Sequence, residues 1–260
     1  AILTLALCAL PCRGKSHRQR PWNISMAAFC GFFSGLVKTN KANECQQFLI
    51  VGPEQSGKTT LMYRLRMGDR WPEMEQDLKD MANEAYYKPD SQAEHLYDAG
   101  YHYEEFEMLN NCGFWDVPGK MRTVWSTFYK ALTIHGVIFV VDANDAKLLE
   151  SENKRQREEA NQRVREYRQL LHSLMNEDEL RAAVICVIFN SRNADAEPPP
   201  DEHPLRYRYG LHNLPEPMKK RVGFFVLDCN RLNGETDPNW KPIEDHMKRV
   251  LKETFDLEFD

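Results

Sequence analysis

The run Gln47-Phe48-Leu49-Ile50-Val51 is apolar without a break, stops at Gly52, and is followed by Pro53-Glu54-Gln55-Ser56-Gly57-Lys58-Thr59-Thr60 and then Leu61-Met62-Tyr63-Arg64-Leu65. A buried strand, the pattern G-x-x-x-x-G-K-T and a helix in that order constrain the chain more than any other feature. They define a phosphate-binding P-loop. Its chemistry needs both flanks, because the N–H groups of the loop and the helix N-terminus together cradle phosphate oxygens. The spacing predicts that Gly52, Glu54, Gln55, Ser56, Gly57 and Thr60 surround a nucleotide's phosphates. Lys58 is expected to reach the β- and γ-phosphates, and the Thr59 hydroxyl to ligate their Mg²⁺.

The rest of the chain agrees with an α/β domain around that loop. Gly136-Val137-Ile138-Phe139-Val140-Val141-Asp142, Ala183 to Phe189 and Val222 to Leu227 are continuous apolar runs, as strands of a parallel sheet covered on both faces require. Glu104 to Leu109 alternates charged and apolar residues, which suits a half-exposed strand, and Asn110-Asn111 reads as a turn into a strand at Cys112 to Asp116. Ala146 to Leu180 is strongly charged, with Val164, Tyr167, Leu170, Leu171 and Leu174 on one side, and predicts one long amphipathic helix. A last helix is expected over Pro242 to Thr254. The polar stretch from Asp69 to Asp98 reads as a long loop with partial helix. The proline-rich segment from Pro198 to Pro217 reads as an irregular insertion. Strands alternating with helices give a three-layer sandwich on a mostly parallel sheet.

With 260 residues, one sizeable domain with extensions is expected. A formal charge of −5 and the lack of a basic stripe argue against nucleic acid as a partner. Seven scattered cysteines without a C-x-x-C pair suggest neither a zinc site nor a disulfide framework, and fit a reducing, cytoplasmic setting. At the N-terminus, Ala1 to Leu10 is apolar and Arg13 to Arg20 basic, the reverse of a secretory signal. Residues 1–25 fit an organelle-directing extension, a membrane-adhering segment, or sequence upstream of a start at Met26. In residues 27–37, Phe29, Phe32, Phe33 and Leu36 fall at helical spacing. That suits a helix lying on a membrane surface, and equally one packed on its own domain or a protein partner.

A second motif, Trp115-Asp116-Val117-Pro118-Gly119, ends a strand downstream of the P-loop, where P-loop proteins place a Mg²⁺-holding aspartate. Asp116 is the candidate for that role, with the Gly119 N–H directed at a γ-phosphate. Together with Val140-Val141-Asp142-Ala143-Asn144-Asp145, these motifs make the chain resemble the Arf/Arf-like branch of the small GTPases. The resemblance runs from Met26 to the C-terminus, with insertions near 70–97, 150–160 and 195–220. It implies a helix-and-linker segment over 26–44 and a G domain over 45–260, whose six-stranded sheet has one antiparallel strand. The implied ligands are GTP or GDP with Mg²⁺.

The departures from the family pattern carry the functional argument. Lys120 stands where the family's water-orienting glutamine follows Gly119. An ammonium donates but cannot accept, so hydrolysis is expected to be slow or absent. Asp98 stands two residues before Gly100-Tyr101, where the family has a Mg²⁺-binding threonine; a carboxylate there can ligate Mg²⁺ but repels a γ-phosphate. The base-reading segment is matched by Asn190-Ser191-Arg192-Asn193. Asn193 offers one acceptor and one mismatched donor where the family has a carboxylate, and Ser191 lacks a base-covering lysine stem. The last base-contacting loop resembles Asp228-Cys229-Asn230. Tyr101, Trp115 and Phe128 keep the types of the family's effector-facing patch, and also suit ordinary interior packing. Ala27 replaces the glycine that would be myristoylated. Two functions therefore stand: an Arf-like GTP-binding protein with little hydrolysis, or a pseudo-GTPase serving as a docking subunit, nucleotide-locked or nucleotide-free.

Overall fold

In the computed structural model the residues described are 45–76, 102–119 and 122–259. The chain divides into two units after Cys45, and the described residues from Gln46 onward belong to the second. Its centre is β1 (Gln46–Val51), buried along its whole length. The other strands are β2 (His102–Phe106), β3 (Cys112–Asp116), β4 (Ile134–Asp142), β5 (Val184–Asn190) and β6 (Val222–Leu227). They form one sheet in the order β2-β3-β1-β4-β5-β6. Only the β2–β3 pair is antiparallel, as expected.

This order sets the position of the site. The chain leaves β1, pairs β3 on one side of it and β4 on the other, so the crevice beyond the carboxyl end of β1 is a topological switch point. Register then aligns the strand ends: Ile50 faces Asp116, and Asp142 faces Asn190. The apolar runs supply the adhesion. Val184, Ile185, Cys186, Val187, Ile188 and Phe189 are all fully buried, each large one contributing about 1.5–3 kcal/mol of transfer free energy.

The helices are α1 (Lys58–Met67), α2 (Arg122–Ala131), α3 (Asn144–Leu149), α4 (Lys154–Asn176), α5 (Pro204–Arg208), α6 (Glu216–Arg221) and α7 (Lys241–Phe255). The single helix expected over Ala146 to Leu180 is thus broken in two. Asn153 is the cause: extended at the break, its side chain accepts from the Arg155 and Gln156 N–H groups and caps α4. The pieces are tied by Arg163, whose guanidinium bridges both oxygens of buried Asp145. On α7, Ile243, Met247, Val250 and Leu251 form the buried stripe, and the buried Trp240 before it donates to Met108 Sδ at 3.3 Å.

The β2–β3 connection is longer than the expected two-residue turn: β2 ends at Phe106 rather than Leu109, and a 3-10 turn over Met108–Asn110 leads into β3. Leu109, Asn110 and Asn111 all take positive φ, of 56°, 55° and 74°; asparagine tolerates this and leucine rarely does. Trp71, in the polar stretch after α1, is buried and stacks on Tyr63 at 4.5 Å. Residues 77–101, the greater part of that stretch, lie outside the described residues, as does the segment 27–37.

On α7, His246 is held against the end of β6. Its Nε2 lies 3.4 Å from Arg221 O and its Nδ1 2.9 Å from the Arg249 guanidinium. Burial, with Arg249 beside it, lowers its pKa to about 4, the Arg221 carbonyl opposing this. Below about pH 6.5 the unfolded chain takes up a proton that the folded chain refuses. Stability is therefore full above pH 6.5 and falls as pH drops toward 4. Between pH 7 and 5 the loss through this group amounts to about 2 kcal/mol. Urea titrations should show a shallower pH slope for His246→Asn than for the parent; parallel slopes would contradict the assignment.

Candidate functional site

The loop Gly52–Gly57 leaves β1 and closes on α1, whose first residue is Lys58. Two glycines make this approach possible. At Gly57, φ is +97° and a Cβ would sit 2.3 Å from Asn190 Nδ2; at Gly119 a Cβ would sit 2.7 Å from Gly52 O. A side chain at either position would push the loop off its neighbours. Gly119 is thereby held against the start of the P-loop, with its Cβ position also 2.9 Å from Glu54 N.

Lys58 is buried, and its Nζ donates to Pro53 O at 2.6 Å. Burial lowers its pKa, while Asp116 and Glu54 pull the other way. The Thr59 hydroxyl donates to Asp116 Oδ2 at 2.5 Å. Burial raises the Asp116 pKa, opposed by the Thr59 hydrogen bond and by the charges of Lys58 and His102. Its other oxygen, Oδ1, is buried with no hydrogen-bond partner among the described residues, and so is Ser56 Oγ. An orphaned carboxylate oxygen beside a threonine hydroxyl is a donor set that suits a hard cation such as Mg²⁺.

At the opposite end of the loop a cleft of about 450 Å³ opens, lined by Gln55, Gly57, Thr60, Asn190, Asn193 and Asn230, all expected from the sequence. Asn190 forms its hinge: Nδ2 donates to Ser56 O at 2.9 Å, and Oδ1 accepts from Cys229 N at 3.0 Å. In the loop that resembles the family's last base-contacting loop, the Asn230 backbone has a partner of its own. The Asn230 N–H donates to Asp228 Oδ1 at 3.0 Å. Asn193 lies on the wall, its own N–H donating to Ser191 Oγ at 3.3 Å.

The same wall contains Asp142, Asn144, Lys147, Ser191 and Arg192. Lys147 belonged to no motif. Neither did Glu197, which is half-buried just after the 3-10 turn that follows β5 and takes both Lys147 Nζ at 3.2 Å and Ser191 Oγ at 2.8 Å. The V-V-D-x-N-D strand end was the available signal for Asp142 and Asn144. Nothing in the spacing pointed to Glu197, some fifty positions downstream of Lys147.

Asp98, Lys120 and Tyr101 lie outside the described residues. Trp115 and Phe128 are buried, with ring centroids 5.3 Å apart. Tyr103 covers Trp115 at 4.3 Å, and the indole N–H donates to Gln47 Oε1 at 2.7 Å. Among the described residues these two rings of the patch named by the resemblance are buried, Trp115 between Tyr103 and Phe128.

The switch-point crevice, the P-loop and the aspartate at the end of β3 define the fold as a P-loop NTPase of G-domain topology. The family model described as the ADP-ribosylation factor family matches residues 85–239, more than half of the chain. The chain belongs to that family of small GTP-binding proteins. The match begins downstream of the P-loop. No helix among the described residues is long and apolar enough to cross a membrane.

Proposed function

We propose that this chain binds GTP or GDP with Mg²⁺ and hydrolyses GTP slowly or not at all. The observation that carries the binding half is the Thr59–Asp116 pair, with Asp116 Oδ1 left unpartnered among the described residues beside Lys58. Thr59 and Asp116 would hold the metal, with Asp98 as a further candidate ligand. When bound, Mg²⁺ neutralises charge on the β- and γ-phosphates. Lys58 would exchange its bond to Pro53 O for phosphate oxygens, and Gly119 would present its N–H to the γ-phosphate. Asn193, Cys229 and Asn230 border the base.

The weak-hydrolysis half rests on Lys120, which cannot accept a hydrogen bond from an attacking water. Nucleotide released from gently denatured native protein should be GTP or GDP. A protein that carries none, and takes up none at saturating Mg²⁺, would sink the proposal. In single-turnover assays Lys120→Gln should hydrolyse bound GTP at least about tenfold faster, in line with the 10²–10⁴-fold range of general acid–base groups. Equal rates would show that the lysine is not what limits turnover.

A docking subunit without exchange is the second reading. It is favoured by the way the site closes on itself: Lys58 is satisfied by Pro53 O and the Asn230 N–H by Asp228. In either case the partner-facing patch is the one the resemblance names, Tyr101, Trp115 and Phe128, reached at the β2 edge of the sheet. The same proposal has the protein in the cytoplasm, with residues 27–37 supplying attachment to a membrane surface.

A further inference from the structure

A base lying in the cleft needs an apolar surface against its ring face, and most of the wall is short and polar. The long stems are those of Lys147 and Arg192. Only for Lys147 does the structure fix both ends of the stem. Its Cα belongs to α3, just beyond the end of β4, and its Nζ is held by Glu197, just beyond the end of β5. Because β4 and β5 are parallel neighbours with Asp142 opposite Asn190, the four methylenes span the gap between the two loops at the base end of the cleft.

Glu197 is built to keep that tie. It is half-buried, its side chain 8% exposed, yet its pKa is lowered: desolvation alone would raise it, but the hydrogen bonds from Ser191 and Lys147 and the charges of Lys147 and His203 outweigh this. His203, fully buried and stacked on Phe189 at 4.4 Å, places Nε2 3.6 Å from the second Glu197 oxygen. Its Nδ1 accepts from Leu205 N, so the ring proton of the neutral form lies on Nε2, facing Glu197. Ser191, too short to cover a base itself, instead helps orient the carboxylate that holds Lys147.

We infer that Lys147, strapped across the cleft by Glu197, covers the base of the bound nucleotide and so supplies the stem that Ser191 cannot. This rests on the nucleotide-binding reading above. Covering a ring face with about 50 Å² of methylene surface is worth about tenfold in affinity. GDP and inorganic pyrophosphate are the probes, measured by calorimetry with Mg²⁺ on the full chain. Lys147→Ala should weaken GDP about tenfold and leave pyrophosphate unchanged. Lys147→Met, which keeps a stem without the charge, should stay within about threefold of the parent. The Lys147 side chain is 65% exposed, so both variants should melt within a few degrees of the parent.

If the parent binds GDP and Lys147→Ala binds it equally well, the strap is overturned and the nucleotide reading stands. Equal weakening of pyrophosphate, or a Lys147→Met loss as large as that of Lys147→Ala, also overturns it, since either shows that charge rather than cover is at work. A parent that binds neither probe overturns both readings.

Discussion

Lys58→Met is expected to lower GDP affinity by at least about a hundredfold while leaving the fold intact. Lys58 would make charge-assisted hydrogen bonds to phosphate, each worth about 1.5–3 kcal/mol, and two of them correspond to 10²–10⁴-fold. Methionine keeps the volume of the buried side chain. It also removes a cation that burial already disfavours, so the folded protein should be as stable as the parent or slightly more so. Calorimetry with GDP and Mg²⁺, paired with a thermal melt, separates the two effects. A dissociation constant within threefold of the parent would show that the P-loop does not hold phosphate.

The second large effect concerns Asn190, and it is on stability. Asn190→Ala removes the donor to Ser56 O and the acceptor for Cys229 N. Ser56 and Cys229 are both buried, so a carbonyl and an N–H lose their partners where water does not readily replace them. At about 1–3 kcal/mol for each of the two orphaned groups, the cost is about 2–6 kcal/mol. For a domain of this size that lowers Tm by roughly 4–24 °C. Asn190→Asp keeps the acceptor for Cys229 but sets a carboxylate oxygen against the Ser56 carbonyl, so it too should melt below the parent. If Asn190→Ala melts within a degree of the parent, the clasp between the P-loop and the Cys229 loop does not hold the domain together.

The sheet was largely legible because parallel strands covered on both faces leave unbroken apolar runs. Val222 to Leu227 coincides with β6, and Ala183 to Phe189 lies within one residue of β5 at each end. Where periodicity misled, a local polar group won. Continuous amphipathic spacing predicts one helix over Ala146 to Leu180, but Asn153 offers its side chain to two backbone N–H groups and starts a new helix. At the hairpin, Asn110-Asn111 was readable as a turn from residue type. The left-handed φ of Leu109 was not, because no propensity favours it and only the surrounding packing holds it there.

The site divides along the same line. Its phosphate end could be read from the sequence because Gly52 to Thr60 is contiguous: the residues that would meet phosphate are chain neighbours, and the strand and helix that orient them flank the motif directly. Asp116 followed from the strand end that carries it. The base end depended on tertiary structure. Lys147, Asn190, Glu197 and Cys229 lie at or beyond the carboxyl ends of β4, β5 and β6, and the parallel pairing of these strands brings those segments together at one edge of the sheet. Motif spacing could name Asn190 and Asn193, but it could not show that Asn190 clasps two loops, that the Asn230 N–H is taken by Asp228, or that a lysine on α3 lies across the cleft. Those facts depend on register between strands distant in sequence, which no local pattern of residues encodes.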